Sequence, residues 1–196
     1  MKGLEKLVEE KGMQNLIIDL RDNPGGYLQE ATKILSQLFK EKKQLLVYTE
    51  GRSTHRNDYH TTGQNFFDIG KITVLVDEGS ASASEIMAGA IQDLDRGTIV
   101  GRRSFGKGLV QEQYALKDGS ALRLTIARYY TPSGRSIQRP YKDNATYEDD
   151  FEARYKRGEL VNENKIERND SLVFETKKGR TAVSYTHLTL PTICSV

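Results

Sequence analysis

Twice in this chain a short β-branched run ends in a glycine-rich turn that opens directly into a stretch of helical period. That repeated strand, turn and helix constrains the fold more than any other feature. In the first unit NLIIDL (Asn15 to Leu20) is closed by RDNPGG, and LQEATKILSQLFK (Leu28 to Lys40) then sets Ala31, Ile34, Leu35 and Leu38 on one helical face. In the second, the nearly all-apolar KITVLVDE (Lys71 to Glu78) reads as a strand buried on both faces. GSASAS is its turn, and EIMAGAIQDLD follows with Ile86, Met87, Ala90 and Ile91 on one face. Units of this kind predict an α/β domain with helices packed on a sheet. QLLVYTE (Gln44 to Glu50) and GTIVGRR add strands, and GRSTHRNDYHTTGQNFFDIG reads as a polar loop. LVQEQYAL (Leu109 to Leu116) and LRLTIARYYT (Leu122 to Thr131), joined by KDGS, predict a β-hairpin. In its second strand Leu122, Leu124 and Ile126 alternate against Arg123, Thr125 and Ala127, as in a half-buried strand.

A chain of 196 residues is long enough for one such core. Its 29 basic and 27 acidic residues leave a formal charge of +2, too weak a field to favour nucleic acid or an anionic membrane as partner. No apolar run approaches the roughly 20 residues of a membrane span. The opening MKGLEKLVEEKGMQ has the pattern of a charged amphipathic helix rather than of a signal peptide. One cysteine, Cys194, and three histidines are too few soft ligands for a structural zinc site or a disulfide framework, so no metal is expected. Residues 142–182 turn charged and tyrosine-rich and read as a peripheral extension of the core, with one short helix near Tyr147 to Lys156. The last stretch, residues 183–196 (VSYTHLTLPTICSV), continues no period, and VSYTHLTLPT matches the in-frame translation of a transposon mosaic-end sequencing adapter. It is therefore expected to be non-native read-through in which Cys194 and His187 carry no function; the alternative is an ordinary edge strand with a frayed end.

The chemistry-bearing residues cluster at the turns. Ser80, Ser82 and Ser84 stand between a buried strand and a helix, where a nucleophile gains exposure and a helix N-terminus offers free N–H groups and a positive dipole to a developing oxyanion. The same residues equally fit a helix cap, with Ser82 as N-cap and Glu85 closing a capping box. His55 and His60 are poor candidates for the base a serine needs, because both lie in a polar loop and are not at helical spacing. Lys107, flanked by Gly106 and Gly108 in GRRSFGKGLVQ, is the other candidate base, although such a loop could equally be a glycine turn or an anion-binding nest. To act as a base its pKa must fall from about 10.4 to near neutrality, worth about 4 kcal/mol, which burial would supply. RDNPGG could supply a second oxyanion donor from its glycine pair, or be an ordinary turn.

In combination and in this order, IIDLRDNPGG, VLVDEGSASASEI, VGRRSFGKGLVQ and LRLTIARYYTPSGRSIQ resemble the carboxy-terminal processing peptidases, tail-specific serine proteases with a Ser–Lys dyad. The resemblance spans Asn15 to Tyr141 and breaks no motif position. It implies a crotonase-like or Clp-protease-like β/α superhelical core, here incomplete, over residues 1–141. It implies Ser82 as nucleophile, Lys107 as general base and Gln111 as the residue that orients the lysine. The N–H groups of Ala83 and of the Gly25-Gly26 turn, with Gly26 preferred, would form the oxyanion hole. No cofactor is implied. The family also carries an export signal or anchor, a helical cap and a PDZ domain that takes substrate carboxy termini by strand addition. These lie outside this chain, so a fragment of a bacterial envelope protease is expected, with membrane association only through a missing amino-terminal segment. The family's closing glycine-rich strand would begin near Gly179-Arg180-Thr181. The implied function is cleavage near the carboxy terminus of unfolded or tagged envelope proteins. Alternatives are a catalytically inactive peptide-binding scaffold and a crotonase-like acyl-thioester enzyme; Lys107 and Gln111 argue against the latter.

Overall fold

The computed structural model describes residues 2–64, 67–139, 149–162, 165 and 173–183. A short helix α1 (Lys2–Glu5) runs through a π-helical turn (Lys6–Glu10) toward strand β1 (Leu16–Asp19), and helix α2 (Leu28–Leu38) follows the RDNPGG turn. Then come β2 (Leu45–Glu50), β3 (Asn57–His60), β4 (Ile72–Val76), helix α3 (Ala83–Asp93) and β5 (Thr98–Gly101). The hairpin is β6 (Leu109–Ala115) and β7 (Ala121–Tyr130); helix α4 (Asp150–Arg157) and a small hairpin, β8 (Val173–Glu175) and β9 (Thr181–Val183), complete the order. The domain is mixed α/β. A parallel sheet is ordered β1-β4-β5 and an antiparallel sheet β3-β2-β7-β6.

Both strand, turn and helix units form as their patterns require, and their helices share one core. Ala31, Leu35 and Leu38 of α2 meet Ile86, Met87, Ala90 and Ile91 of α3 over Ile72, Val74 and Val76 of β4. Ile34, expected on the buried face of α2, is instead 39% exposed because the packed stripe runs through Leu35 and Leu38. The expectation that β4 is buried on both faces holds on one only. Ile72, Val74 and Val76 are sealed under the helices, whereas Thr73 and Leu75 are half-buried. The register explains this: Thr73 pairs with Ile17 and Thr98, and Leu75 with Val100, so the far face of the parallel sheet carries Ile17 and Val100, both exposed.

Three further expectations are corrected. The segment read as a polar loop contains β3, an edge strand antiparallel to β2 whose side chains are mostly solvated and so lack apolar alternation. The expected β6–β7 hairpin forms, with Tyr114 opposite Leu122, yet Leu122 and Leu124 are 47% and 44% exposed while Ala127 is buried. The reason is reach: β2 pairs with β7 only at Arg128 to Tyr130, so the distal hairpin projects past the sheet. The charged extension is not peripheral throughout, since Arg154 of α4 is 2% exposed. At the far end of α3, the turn between β8 and β9 docks through Lys177 N–H to the Asp93 carbonyl at 2.7 Å and Lys178 N–H to Asp95 Oδ2 at 2.6 Å. β9 pairs only with β8 among the described residues. Residues 184–196, with His187 and Cys194, lie outside the described residues.

Candidate active site

The three serines of the β4–α3 turn have different fates. Ser80 is fully buried; its Oγ donates to the Leu20 carbonyl at 2.6 Å and accepts the Asp77 N–H at 2.9 Å. Ser84 Oγ donates to the Asn23 carbonyl at 3.0 Å. Ser80 thus ties the serine turn to Leu20, just before the RDNPGG turn, and Ser84 ties it to Asn23 within that turn. Ser82 alone of the three is half-exposed, and it is the N-cap of α3 with φ 54° and ψ −114°, a conformation that side-chain-bearing residues rarely adopt. Such strain costs about 1–3 kcal/mol and persists where the surrounding contacts over-determine it.

Glu85 supplies those contacts. Its carboxylate, 2% exposed, accepts the Ser82 N–H on Oε2 at 2.9 Å, closing the expected capping box. The same Oε2 accepts the Lys107 N–H at 2.8 Å, and Oε1 accepts the Gly106 N–H and the Ser104 hydroxyl, each at 2.6 Å. One buried oxygen thus ties the main chain of Ser82 to that of Lys107. Burial pushes the Glu85 carboxyl above its usual range, against these four donors, which favour the ionised form. The 102–108 loop is pinned elsewhere too, with Phe105 N–H to the Ser80 carbonyl at 3.0 Å and Gly108 N–H to Gln138 Oε1 at 2.9 Å. Gly108 has to be glycine, since a Cβ there would stand 2.4 Å from Gln138 N.

The RDNPGG turn lies against the serine. Gly25 has φ +97°, and a Cβ on it would sit 2.7 Å from Ala83 N and 2.9 Å from Ser82 Cβ, so only glycine permits the approach. The Gly25 N–H is taken by Asn23 Oδ1 at 2.9 Å. That leaves Gly26 as the member of the pair whose N–H, like that of Ala83 at the start of α3, has no acceptor among the described residues. Asp77 Oδ1 braces this turn by accepting the Asp22 N–H at 2.8 Å and the Gly79 N–H at 3.0 Å.

Two expected features are not assembled in the chain as it stands. Lys107 is exposed, not buried as a base in this loop was expected to be. Gln111 Nε2 donates to Thr125 Oγ1 at 3.4 Å, and no hydrogen bond joins it to Lys107 among the described residues. His55 and His60 are exposed on and beside β3 and bond to none of the three serines. Sequence reasoning saw Glu85 only as half of a capping box. Its bonds to the 104–107 loop, and the braces from Asn23 and Asp77, carry no local sequence signal.

The peptidase family S41 profile matches residues 1–146. The chain belongs to that family. It is 42% identical over 132 residues to the carboxyl-terminal-processing protease of Synechocystis sp., an alignment covering 67% of this chain and 30% of that protein. With the carboxy-terminal-processing protease of Bartonella bacilliformis it is 44% identical over 141 residues, covering 70% of this chain and 32% of the other. Among solved structures, the photosystem II D1 C-terminal processing protease superposes with a TM-score of 0.63 at 36% identity, over 70% of this chain and 35% of that one. The chain spans about a third of the length of these relatives.

Proposed function

We propose that the protein is a serine endopeptidase of the C-terminal processing type, with Ser82 as nucleophile and Lys107 as general base. The observation that carries this reading is the single Glu85 oxygen shared by the Ser82 and Lys107 N–H groups, which anchors both candidate residues to one buried point. Neutral Lys107 Nζ would accept the Ser82 Oγ proton as Oγ attacks the scissile carbonyl. The oxyanion that forms is met by the N–H groups of Gly26 and Ala83, and the Lys107 ammonium then returns its proton to the leaving amine. Water hydrolyses the acyl-enzyme by the same relay. A polypeptide lying over Lys107 supplies the desolvation that the exposed side chain lacks, and Gln111 exchanges Thr125 for the ammonium.

The substrate class in this reading is the carboxy-terminal region of unfolded or tagged envelope proteins, presented by a PDZ domain elsewhere in the full-length protein, with no cofactor. The proposed setting is the bacterial cell envelope. The second reading, an inactive peptide-binding scaffold, draws on the exposure of Lys107. The experiment is cleavage of an unfolded reporter, with fluorophosphonate labelling of the serine, by the full-length protein and by Ser82→Ala, Lys107→Ala and Ser80→Ala. Loss of turnover in the first two with folding intact supports the dyad. Absence of turnover and of labelling in the unsubstituted protein would establish the scaffold.

A further inference from the structure

The loop that carries Lys107 is held on its inner side by Glu85, and an independent set of contacts holds its outer side. Those contacts come from α4 and the turn after it, residues beyond the 1–146 region that matches the family. Arg154 Nη2 donates to the Arg103 carbonyl at 2.7 Å, and its Nε donates to Glu159 Oε1 at 3.1 Å. The Arg103 guanidinium in turn bonds Asp150 Oδ1 at 3.2 Å and pairs with Glu159 at 3.1 Å. Arg139, whose N–H bonds the Gly106 carbonyl at 3.0 Å, donates to Asp150 Oδ2 at 2.9 Å and lays its guanidinium over the Phe105 ring at 4.7 Å. The side chains of Arg154 and Glu159 are 2% and 1% exposed. Ion pairs at a solvated surface hold little, whereas a buried pair that loses one partner leaves an uncompensated charge, so loss of either Arg154 or Glu159 alone is costly.

We infer that residues 149–159 form a strap that fixes the Lys107 loop from outside, with Arg154 as a positioning residue for the dyad. Arg154 does not touch the reacting atoms; it acts through the Arg103 carbonyl, four residues before Lys107. Glu85 and Arg154 grip adjoining parts of one short loop, Glu85 at residues 104, 106 and 107 and Arg154 at residue 103. The main chain from Phe105 to Gly108 is held by its own bonds, and the outside grip at residue 103 fixes where that held stretch starts and so where Nζ can reach. A displacement of about 1 Å in a catalytic group costs roughly a hundredfold in rate.

The inference rests on the Ser–Lys reading, and the experiment separates the two. In the full-length protein, the fluorophosphonate labelling rate of Ser82 and the kcat and KM for an unfolded reporter are measured from pH 6 to 10. The variants are Arg154→Ala, Arg154→Lys, the paired Arg154→Met with Glu159→Gln, and Lys156→Ala on the exposed face of α4. The expected result is a fall in labelling rate and kcat of roughly tenfold or more in Arg154→Ala and in the pair, with KM within about twofold, partial recovery in Arg154→Lys and no change in Lys156→Ala. The pair removes both charges, so its loss is not that of an orphaned Glu159. Wild-type rates and pH profile in the pair, with far-UV circular dichroism unchanged, overturn the strap. If the pair does not fold, Arg154→Ala decides: wild-type rates and pH profile in that variant, with circular dichroism unchanged, overturn the strap. Activity that survives Lys107→Ala would overturn the dyad instead.

Discussion

At the scale of single residues the site is defined by strain and by who relieves it. Ser82 holds φ 54° and ψ −114°, where glycine sits without penalty and any Cβ is crowded. Ser82→Gly is therefore expected to abolish serine labelling and yet to raise stability by about 1 kcal/mol, read as a higher Tm. A lowered Tm would mean that the serine side chain contributes more to the fold than its backbone costs. Ser80→Ala and Ser84→Ala are expected to do the opposite, retaining labelling while losing about 1–2 kcal/mol, since each removes a hydroxyl bond to a main-chain carbonyl, of Leu20 or Asn23, and Ser80→Ala also takes the acceptor from the Asp77 N–H. The glycine pair divides just as sharply. Gly25→Ala puts a methyl 2.6 Å from the Ala81 carbonyl at a positive φ and should cost activity and stability together. Gly26→Ala meets nothing within 4 Å and should keep the fold, and with it the N–H assigned to the oxyanion. Turnover measured beside thermal melts checks both, and equal effects at the two positions would contradict the assignment.

At the scale of elements, what was legible in the sequence was what has a period. β1, α2, β4, α3 and the β6–β7 hairpin follow from apolar spacing and turn residues, because burial on one face writes itself into every second or every third and fourth position. β3 left no such trace, since NDYH is an edge strand with three of its four side chains exposed. The burial of Arg154 was hidden for the opposite reason: an ion-pair cluster gathered from residues 103, 139, 150 and 159 has no spacing to read. The β8–β9 hairpin is another such element, and its attachment gives a pH prediction. Burial alone would raise the Asp95 carboxyl, but bonds from Thr176, the Lys178 N–H and Arg180 outweigh it and hold its pKa below the usual 3.8. A depressed folded pKa means stability that is fully present above 3.8 and lost as the pH falls through the lower folded value. Amide protection at Lys178 and Arg180, relative to the intrinsic exchange rate at each pH, should fall on acidification below pH 3.8, and Asp95→Asn should show low protection already at neutral pH. Protection unchanged by pH and by the substitution would show that the hairpin is held by something other than Asp95.

At the scale of the whole molecule the candidate site is complete in its backbone and open in its surroundings. The turns that place Ser82, Ala83, Gly26 and Lys107 lock to one another through buried bonds and were foreshadowed by four sequence motifs. What surrounds them was not, because coverage of a surface depends on what packs there. Among the described residues apolar surface is exposed in two places. One is the far face of the parallel sheet, where Ile17 is 68% exposed and Val100 43%; the other is the distal hairpin, with Tyr114, Leu122 and Leu124. Parallel sheets are ordinarily covered on both faces, and contiguous apolar patches on a soluble monomer drive association. This 196-residue chain on its own is therefore expected to self-associate as its concentration rises, which sedimentation velocity would record as an increasing mean mass. Ile17→Thr together with Leu122→Thr and Leu124→Thr should shift it toward monomer without lowering stability by more than about 1 kcal/mol, since these side chains bury little. Because the hairpin projects beyond β2 whereas Ile17 lies in the sheet's own register, the two patches can be separated. If the hairpin substitutions alone restore the monomer, the contact runs through the projecting arm. If only Ile17→Thr does so, it runs through the uncovered sheet, and a chain that stays monomeric at every concentration would show that neither patch is adhesive.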